Sequence, residues 1–360
     1  MSDIELISHP DDVTPSWLTA VLHAAGALDD EGRVTEVTGT PVGTGQVGDS
    51  VRFTVTYDGA EGPPTVVGKF PSEDETSRSA SVATRTYEIE TRFYQQLRDR
   101  VSITTPEPYV ALIDVEANEF VLLMNDLAPA EQGDQMAGCD AGAVELAIDE
   151  VAKLHAPVWG DSTLADLDWL NRANPDGQAF YVQLIGMFWP QFLDRYGDRV
   201  DANVRDIGAR VVERLGDYLS HRPEPLTAAH GDYRLDNMLF ATDAGGAPLT
   251  TVDWQTVALS PGVSDVSYFL GTSVDPELRA VHEREWIERY HDGLGAGGVR
   301  EFGLERCWDD YRRFAFAGLL MAVGASMLVG QTDRGDEMFM AMANRSGRMA
   351  IELDTLALLD

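Results

Sequence analysis

The sequence contains little cysteine and few basic side chains. Cys139 and Cys307 are the two cysteines of a 360-residue chain, and they stand too far apart to form a metal-binding motif. We expect no disulfide between them, because the chain has the character of a cytoplasmic protein. The 27 Lys and Arg residues face 60 Asp and Glu, so the formal net charge is −33. A chain this acidic lacks the basic footprint with which proteins bind nucleic acid.

Long apolar runs are equally scarce. The N-terminal residues MSDIELISHPDD have neither the basic start nor the apolar segment of a secretory signal. The longest apolar stretch, 314–329, has 16 residues and contains two glycines, which is short for a membrane span and predicts a buried helix. At 44% hydrophobic the chain can still bury a large core, which excludes a disordered chain. We therefore expect a folded cytoplasmic protein without a membrane span.

The spacing of apolar residues changes along the chain. After an N-terminal helix, β-rich runs occupy most of the first part, at 34–57, 64–70 and 120–124. A helix is expected over 84–97 within this part. Beyond about residue 140 the pattern is mainly helical, with one β-rich patch at 227–254. The sequence predicts an α+β protein with a small β-rich part, 1–126, and a larger helical part, 127–360.

Three glycines in the first part form a G-x-G-x-x-G pattern. Gly43, Gly45 and Gly48 lie between two predicted strands. A dinucleotide-binding loop of this pattern joins a strand to a helix, whereas a protein-kinase-type loop lies over nucleotide phosphates between two strands. The pattern alone is weak, because plain turns also produce it. Its position between strands favours the kinase-type alternative.

One lysine lies inside an apolar strand. Lys69 belongs to TVVGKF, where it is either an edge lysine reaching water or a lysine that binds nucleotide phosphates. The second alternative needs a glutamate on the following helix. Glu88 is four residues before Arg92, with which it can form an exposed helix pair, whereas Glu90 borders the apolar face. The sequence therefore favours Glu90 as the partner of Lys69.

A group of carboxylate and amide residues follows in the second part. The string HGDYRLDN, 230–237, contains Asp232 and, five residues later, Asn237; Asp253 ends a short β-run 21 residues after Asp232. Phosphoryl transfer to a hydroxyl needs a carboxylate that takes the proton and metal ions on the phosphates. Asp232 can supply the carboxylate. Asn237 and Asp253 offer the hard oxygen ligands that Mg²⁺ prefers.

Other polar residues near this string have alternative or supporting roles. Arg234 either neutralises charge on the transferred phosphoryl group or is a surface arginine, and the sequence does not decide between them. Asp236 is expected to be a structural carboxylate of the loop. His230 and Asp265 are expected to brace the loop or cap a helix rather than act as bases.

These strings resemble the aminoglycoside phosphotransferase/choline kinase-like superfamily. HGDYRLDN and VDWQ carry the resemblance, while LLMNDLAP and YEIETRFYQQL are similar to its ecdysteroid-kinase-like branch, also called CHK-kinase-like, and to that branch's bacterial relatives. The resemblance extends from about residue 39 to at least residue 328. It implies a bilobal protein-kinase-like fold, with a small β-rich N-lobe, a larger mainly helical C-lobe, and ATP between them.

The resemblance also implies roles for individual residues. Asp232 matches the catalytic base, and Asn237 and Asp253 match the Mg²⁺ ligands. Lys69 matches the phosphate-binding lysine, and Glu90 matches its partner. His-Gly-Asp replaces the His-Arg-Asp of protein kinases, and neither Asp-Phe-Gly nor Ala-Pro-Glu occurs. A protein substrate and a phosphorylation-controlled activation loop are therefore not expected.

The strand end at Met124 matches the hinge of the family. The backbones of Asn125 and Leu127 are accordingly expected to meet adenine. The family phosphorylates hydroxyls of small molecules, among them aminoglycosides, choline, ecdysteroids and hydroxyacyl-CoA. Segments 180–196 and 308–328 could line the acceptor pocket, although most of their apolar residues are expected to be core.

The expected activity is ATP- and Mg²⁺-dependent phosphorylation of a small-molecule hydroxyl compound, apolar or amphipathic rather than cationic. Three alternatives remain open: an aminoglycoside-type kinase, a nucleotide-binding pseudokinase without transfer activity, and a dinucleotide-binding oxidoreductase. The last requires a helix directly after the glycine pattern. The sequence leaves the acceptor, the choice between ATP and GTP, and the oligomeric state undetermined.

Overall fold

The computed structural model describes residues 4–43 and 48–359, which separate into two compact units. The first unit takes in the chain as far as Arg100, together with Thr104–Pro129 and Thr251–Val257. The second contains Val101–Ile103, Ala130–Thr250 and the chain from Ala258 onward. The main boundary thus falls after Pro129, three residues beyond the predicted one. Asp253 belongs to the first unit although its sequence position lies far into the second.

The first unit is built on a five-stranded antiparallel sheet. Its strands are β1 (Arg33–Pro41), β2 (Gly48–Asp58), β3 (Thr65–Pro71), β4 (Pro108–Asp114) and β5 (Glu119–Asn125). The spatial order is β1-β2-β3-β5-β4. Along β2, the buried Val51, Phe53 and Val55 alternate with more exposed residues, as expected for a half-buried strand. Strand β4 is an addition that the sequence analysis did not predict.

Three helices accompany this sheet. Helix α1 (Pro15–Ala24) begins after Thr14, whose hydroxyl caps the helix, and its buried residues pack on the core of the sheet. Helices α2 (Glu75–Thr84) and α3 (Thr86–Arg92) are separated by Arg85, which has a left-handed φ of 58°. A wider, π-helical turn, Phe93–Leu97, continues α3. The predicted helix over 84–97 is therefore α3 and this turn, while α2 was missed.

The second unit is mainly helical. Its helices are α4 (Ala141–His155), α5 (Pro175–Tyr196), α6 (Ala202–Glu213), α7 (Leu215–Ser220), α8 (Val263–Ser273), α9 (Pro276–Ala296), α10 (Leu304–Arg313), α11 (Ala317–Leu328) and α12 (Asp333–Glu352). Helix α8 is almost wholly buried, and α4, α10, α11 and α12 pack around it. This buried helix gives the unit a rigid centre.

Short strands interrupt the helices of the second unit. They are β6 (Glu131–Gln132), β7 (Asn171–Arg172), β8 (Thr227–Ala229), β9 (Met238–Thr242), β10 (Gly245–Thr251) and β11 (Ala258–Ser260). Two three-stranded sheets result, in the orders β10-β9-β6 and β7-β11-β8. The β-rich patch predicted at 227–254 corresponds to β8, β9 and β10. The loop between β8 and β9 carries the string HGDYRLDN.

The longest apolar stretch of the sequence forms a buried element. It comprises a short 3₁₀ turn and helix α11, whose side chains are mostly enclosed by neighbouring helices. Across residues 4–43 and 48–359, no helix is long and apolar enough to cross a membrane.

Candidate active site

The glycine pattern connects two paired strands. Pro41, at the end of β1, lies opposite Val51 of β2, and Gly43 lies two residues beyond the end of β1. Gly48 begins β2, where a Cβ atom would lie 2.9 Å from the Phe70 carbonyl oxygen, so the close approach of the backbone requires glycine there. Gly45 lies outside the described residues. Because a strand follows the pattern, the dinucleotide-binding oxidoreductase alternative, which requires a helix, is wrong.

Lys69 is the centre of a charged cluster in the first unit. Its Nζ atom lies 2.6 Å from Glu90 Oε1 and 3.2 Å from Asp253 Oδ1. Glu90 is nearly buried, whereas Lys69 and Asp253 keep about a quarter of their side chains exposed. Burial by itself lowers the pKa of the Lys69 ammonium, but the two carboxylates outweigh this effect and raise the pKa above its usual value. Lys69 is therefore cationic at any physiological pH.

The two candidate glutamates of α3 have different surroundings. Glu90 faces the core and pairs with Lys69, whereas Glu88 bonds Arg85 at 2.9 Å. Arg92, which the sequence offered as a partner for Glu88, donates to Gln95 at 3.0 Å. Arg85, with its left-handed backbone, precedes the first residue of α3, and Glu88 follows it by three residues.

Asp253 is held by the residues that follow it. Its Oδ2 atom accepts a hydrogen bond from Gln255 Nε2 at 3.0 Å. Its own φ of 68° is left-handed, a conformation that Asp and Asn adopt more readily than most residues. The next residue, Trp254, is fully buried and stacks on Phe93 with ring centroids 3.9 Å apart and planes only 3° from parallel. This stack attaches the Asp253 segment to the turn that continues α3.

The loop after β8 in the second unit is fixed through its backbone. Gly231 has a φ of 83°, a left-handed conformation that explains glycine at this position. The buried Asp265 carboxylate, in the first turn of α8, accepts from the backbone nitrogens of His230 (2.6 Å) and Gly231 (3.0 Å). The Nδ1 atom of His230 in turn accepts from the Asp232 nitrogen at 3.3 Å. Asp265 and His230 thus brace the loop, as the sequence predicted.

The Asp232 carboxylate accepts hydrogen bonds from three side chains. Arg234 Nε lies 3.0 Å from both carboxylate oxygens. The hydroxyl of Tyr268 donates to Oδ1 at 2.8 Å, and Asn237 Nδ2 donates to Oδ2 at 2.9 Å. Burial favours the neutral acid, but the Arg234 charge and the Tyr268 hydrogen bond act together against it and hold the pKa of Asp232 below its usual value. The carboxylate is therefore ionised at neutral pH.

Arg234 bridges two carboxylates of the same loop. Besides its contact with Asp232, its Nη1 atom lies 2.7 Å from Asp236 Oδ2. The guanidinium is mostly buried, and burial by itself lowers its pKa. The Asp232 charge outweighs this effect and raises the pKa of Arg234 above its usual value. Arg234 is thus not a surface arginine. Asp236 also accepts from the Gln135 nitrogen, which agrees with the structural role predicted for it.

Asn237 folds back on the beginning of its own loop. Its Nδ2 atom donates both to the backbone oxygen of Asp232, at 2.8 Å, and to the carboxylate. Because the amide nitrogen is used in this way, the amide oxygen is the Asn237 atom that would serve a cation. The five-residue spacing of Asp232 and Asn237 therefore corresponds to one turn of the loop, which the hydrogen bonds of Asn237 close.

At the predicted hinge, part of the backbone is already bonded. The Asn125 N–H donates to the Glu107 carbonyl at 3.0 Å, and the Asn125 side chain accepts from the Glu107 nitrogen at 2.6 Å. The N–H of Asn125 is thus already used, and a contact of the Asn125 and Leu127 backbones with a base stays a prediction. The neighbouring Asp126 forms an ion pair with Arg52 at 2.7 Å.

Of the segments predicted to line an acceptor pocket, 308–328 is mostly core, whereas 180–196 is core along one side only. In α5, the residues Ile185, Phe188, Trp189, Phe192 and Tyr196 are buried, and α11 is enclosed along most of its length. Three large apolar side chains of these helices remain exposed instead: Phe180, Met187 and Leu328. Tyr181, next to Phe180, has its pKa raised to about 12 by burial.

Two residues that contact the Asp232 loop or its supports, Tyr268 and His155, were not predicted from the sequence. Tyr268 reaches Asp232 from α8, and His155 of α4 lies with its Nε2 atom 3.2 Å from Asp265 Oδ2 while its Nδ1 meets the Tyr290 hydroxyl at 2.8 Å. The signal for Tyr268 was its position three residues after Asp265, since residues at this spacing share one face of a helix. Nothing in the local sequence indicated His155.

Comparison with known proteins bears on the family resemblance and on the fold. A sequence model of the Ecdysteroid kinase-like family matches residues 166–297. The fold resembles that of aminoglycoside 2'-phosphotransferase-IIIa in complex with GDP, with a TM-score of 0.51 and 14% identity over 92% of this chain and 98% of that one. It also resembles choline kinase from Cryptosporidium parvum, with a TM-score of 0.53 and 10% identity over 89% and 90%.

A further similarity is to a much longer protein. Acyl-CoA dehydrogenase family member 10 of Mus musculus is 29% identical over 167 residues, which are 41% of this chain and 14% of that protein. The chain thus spans about a seventh of the curated relative that it matches. Together the comparisons confirm the predicted resemblance to the aminoglycoside phosphotransferase/choline kinase-like superfamily and the kinase-like α+β fold.

Proposed function

We propose that the protein transfers the γ-phosphoryl group of a nucleoside triphosphate to a hydroxyl group of a small molecule, with Mg²⁺ as the metal. One observation carries the proposal: Asp232 is an ionised carboxylate whose oxygens are oriented by Arg234, Asn237 and Tyr268. A hydroxyl group that attacks phosphorus must lose its proton. A carboxylate fixed in this way can take that proton up.

The chemical step is a displacement at phosphorus. The acceptor hydroxyl gives its proton to Asp232, and its oxygen forms the new bond to the γ-phosphorus. The bond between that phosphorus and the β,γ-bridging oxygen breaks, and the nucleoside diphosphate leaves with the bonding electron pair. Protein groups contribute mainly by positioning and by electrostatics, because the transition state of phosphoryl transfer is loose.

Lys69 is proposed to bind the phosphates of the nucleotide. Its cation is held by Glu90, so the ammonium has a fixed position and still exposes about a fifth of the side chain. Gly43, Gly45 and Gly48 are proposed to cover the phosphates. Asn125 and Leu127 are proposed to meet the base through their backbones. Because structures similar in fold contain GDP, GTP is tested beside ATP.

Asp253 and Asn237 are proposed as the protein ligands of Mg²⁺. Mg²⁺ usually takes one or two protein oxygens and completes its shell with water and substrate phosphates. Asp253 offers a carboxylate with about a quarter of its surface exposed, and Asn237 offers an amide oxygen. Over the described part of the chain, no three His, Cys, Asp or Glu residues form a metal site on their own. When bound, Mg²⁺ would neutralise the phosphate charge that develops during transfer.

The acceptor is proposed to be an apolar or amphipathic alcohol. The side chains around Asp232 carry balanced charge, since Arg234 and Arg334 offset Asp232 and Asp236. A polycationic acceptor would therefore find no surplus of negative charge there. The exposed Phe180, Met187 and Leu328 supply apolar surface in the same unit. An aminoglycoside-type kinase stays the alternative, since a fold neighbour contains kanamycin with GDP.

The test begins with nucleotide binding. Thermal midpoints are measured with Mg-ATP, Mg-GTP, NAD and no ligand, for the wild type and for Asp253→Asn. Asparagine keeps the left-handed backbone at position 253 and removes only the charge. A ligand at 100 times its Kd stabilises the folded state by about 2.7 kcal/mol. We expect a nucleotide-dependent rise that Asp253→Asn loses, and no rise with NAD.

Phosphate transfer is measured next. The acceptor panel contains sterol and steroid alcohols, a hydroxyacyl-CoA, choline and kanamycin, with Asp232→Asn as the inactive control. Transfer to an apolar alcohol that Asp232→Asn abolishes supports the proposal, and transfer to kanamycin alone supports the alternative. Nucleotide binding without transfer to any member would favour a pseudokinase. No nucleotide binding at all would refute the proposal.

A further inference from the structure

Tyr268 connects the helical framework of the second unit to the Asp232 carboxylate. Its hydroxyl lies 2.8 Å from Asp232 Oδ1. The other two donors to this carboxylate, Arg234 and Asn237, belong to the same loop as Asp232. They move whenever the loop moves. Tyr268 instead belongs to α8. Its hydrogen bond therefore anchors the Asp232 carboxylate to a buried helix outside the loop.

Helix α8 contacts both the backbone and the Asp232 side chain of the loop. Asp265 accepts from the backbone nitrogens of His230 and Gly231, and Tyr268, one turn later, donates to the side chain of Asp232. Residues three apart lie on one face of a helix, so both contacts come from the same side of α8. The first contact fixes the backbone of the loop, and the second fixes the rotation of the carboxylate about its side-chain bonds.

The phenol of Tyr268 is suited to be a permanent donor. The residue is 5% exposed. Burial, reinforced by the neighbouring Asp232 charge, raises its pKa well above the usual value, so the hydroxyl keeps its proton over the whole physiological range. Helix α8 is buried over almost its full length, which leaves the ring little freedom to turn away.

We propose that Tyr268 is a positioning residue for phosphoryl transfer, which acts by holding Asp232 in the orientation that accepts the proton of the acceptor hydroxyl. The inference rests on the proposed function and adds to it a residue outside the loop. Its physical basis is the sensitivity of transfer to geometry: a misplacement of about 1 Å costs on the order of 10²-fold in rate. Nucleotide binding does not depend on this contact.

The test compares two variants that each lose one buried phenolic hydroxyl. Tyr268→Phe removes the donor to Asp232, and Tyr311→Phe removes a donor to Glu283 elsewhere in the unit. We expect Tyr268→Phe to lower kcat for transfer by roughly 10- to 100-fold, with the KM for nucleotide changed less than about twofold. Tyr311→Phe lowers the thermal midpoint but leaves kcat near that of the wild type. 4-Aminophenylalanine at position 268, which keeps an N–H donor, restores kcat.

A double-mutant cycle makes the result specific. Tyr268→Phe and Asp232→Asn are combined, and the thermal midpoint and the residual transfer rate are measured for all four proteins. If Tyr268 acts through Asp232, Tyr268→Phe has little further effect on the residual transfer rate or on the thermal midpoint once Asp232→Asn is present. Additive losses, an unchanged kcat in Tyr268→Phe, or no rescue by 4-aminophenylalanine would overturn the inference.

The outcomes separate this inference from the proposed function. An active wild type with an equally active Tyr268→Phe refutes the inference alone. A wild type that transfers phosphate to no acceptor refutes the proposed function and this inference with it. If Tyr268→Phe does not fold, the 4-aminophenylalanine protein decides, because it keeps the size and the donor: its inactivity would contradict the proposal, and its activity would support it.

Discussion

Lys69 and Glu90 meet through an Nζ–Oε1 contact of 2.6 Å, although they are 21 residues apart in the sequence. The contact joins strand β3 to helix α3 and leaves the lysine paired but not enclosed. Asp253 approaches the same ammonium at 3.2 Å from a third segment of the first unit. Two carboxylates thus flank one ammonium, which keeps it charged without a ligand. In the proposed function, Lys69 exchanges one of these contacts for a phosphate.

Replacement of Glu90 should remove the ion pair that holds the Lys69 ammonium in place. Glu90→Gln removes the charge that fixes Lys69 and leaves a nearly buried amide beside the ammonium. We expect the rise in thermal midpoint produced by Mg-ATP or Mg-GTP to shrink or vanish. Glu88→Gln, on the same helix, loses only a partly exposed pair with Arg85, which is worth about 1 kcal/mol or less. Equal effects of the two substitutions on nucleotide binding would contradict the assignment of Glu90.

The lysine content of the chain allows a direct test of Lys69. Lys69 and Lys153 are its two lysines, and Lys153 pairs with Glu150 on the surface of α4. An acyl-phosphate derivative of ATP or GTP acylates amines that lie beside bound phosphates. We expect acylation of Lys69, read by peptide mass spectrometry, that an excess of unlabelled nucleotide suppresses. Lys153 serves as the internal control, and competition at Lys153 instead would place the nucleotide elsewhere.

The site residues that could be predicted are those that short-range sequence patterns indicate. Lys69 stood out because a charged residue interrupted an apolar strand, and Glu90 was separable from Glu88 by the helical stripe it occupies. Asp232 and Asn237 share one short loop, so their sequence distance limits their spatial distance. Such residues can be selected from the periodicity of a helix or strand together with the chemical groups that phosphoryl transfer requires.

The rest depends on packing between distant segments. The contact of Tyr268 with Asp232 spans 36 residues, and the stack of Phe93 on Trp254 spans far more, so no local pattern reports either. Helix α2 was missed because its sequence is polar and lacks an apolar stripe. The backbone of Asn125 was expected to meet a base, and its N–H is used instead in a hydrogen bond to the Glu107 carbonyl, a contact that no local pattern indicates.

Loss of the Phe93–Trp254 stack should destabilise the first unit. Phe93 is fully buried, and replacement of a buried Phe by Ala costs about 3–5 kcal/mol. We therefore expect Phe93→Ala to lower the thermal midpoint markedly and to weaken the response to nucleotide, because the Asp253 segment loses its support. Phe180→Ala is the matched control, since Phe180 is 64% exposed. A surface change of that kind usually alters stability by about 0.5 kcal/mol or less.

The Arg52–Asp126 pair should make the first unit sensitive to acid. Burial opposes the charge of Asp126, but hydrogen bonds from Arg52 and the Ala128 nitrogen prevail and hold its pKa below the usual value. A lowered folded-state pKa gives stability that is complete above the unfolded pKa of about 3.9 and is lost as the pH falls through the folded value. The midpoint difference between wild type and Asp126→Asn should thus be constant from pH 7 to about 5 and shrink below about pH 4. A difference that grows with acidity would contradict this account.

Arg234 should set the acid limit of catalysis. Its guanidinium lowers the pKa of Asp232, so the wild type keeps an ionised base at a pH where an ordinary aspartate begins to take up a proton. Arg234→Ala removes that effect, and burial then favours the neutral acid. The acid limb of kcat against pH is expected to move to higher pH in this variant.

Arg334→Ala is the control for that profile, because Arg334 is half exposed and contacts Asp236 rather than Asp232. It should leave the acid limb unchanged. The profile also decides between two roles for Arg234. A fall in kcat that is uniform across pH, with an unmoved acid limb, would mean that Arg234 acts on the transferred phosphoryl group instead of on the base. A moved limb assigns its main effect to Asp232, because only a changed pKa shifts the pH at which the base is lost.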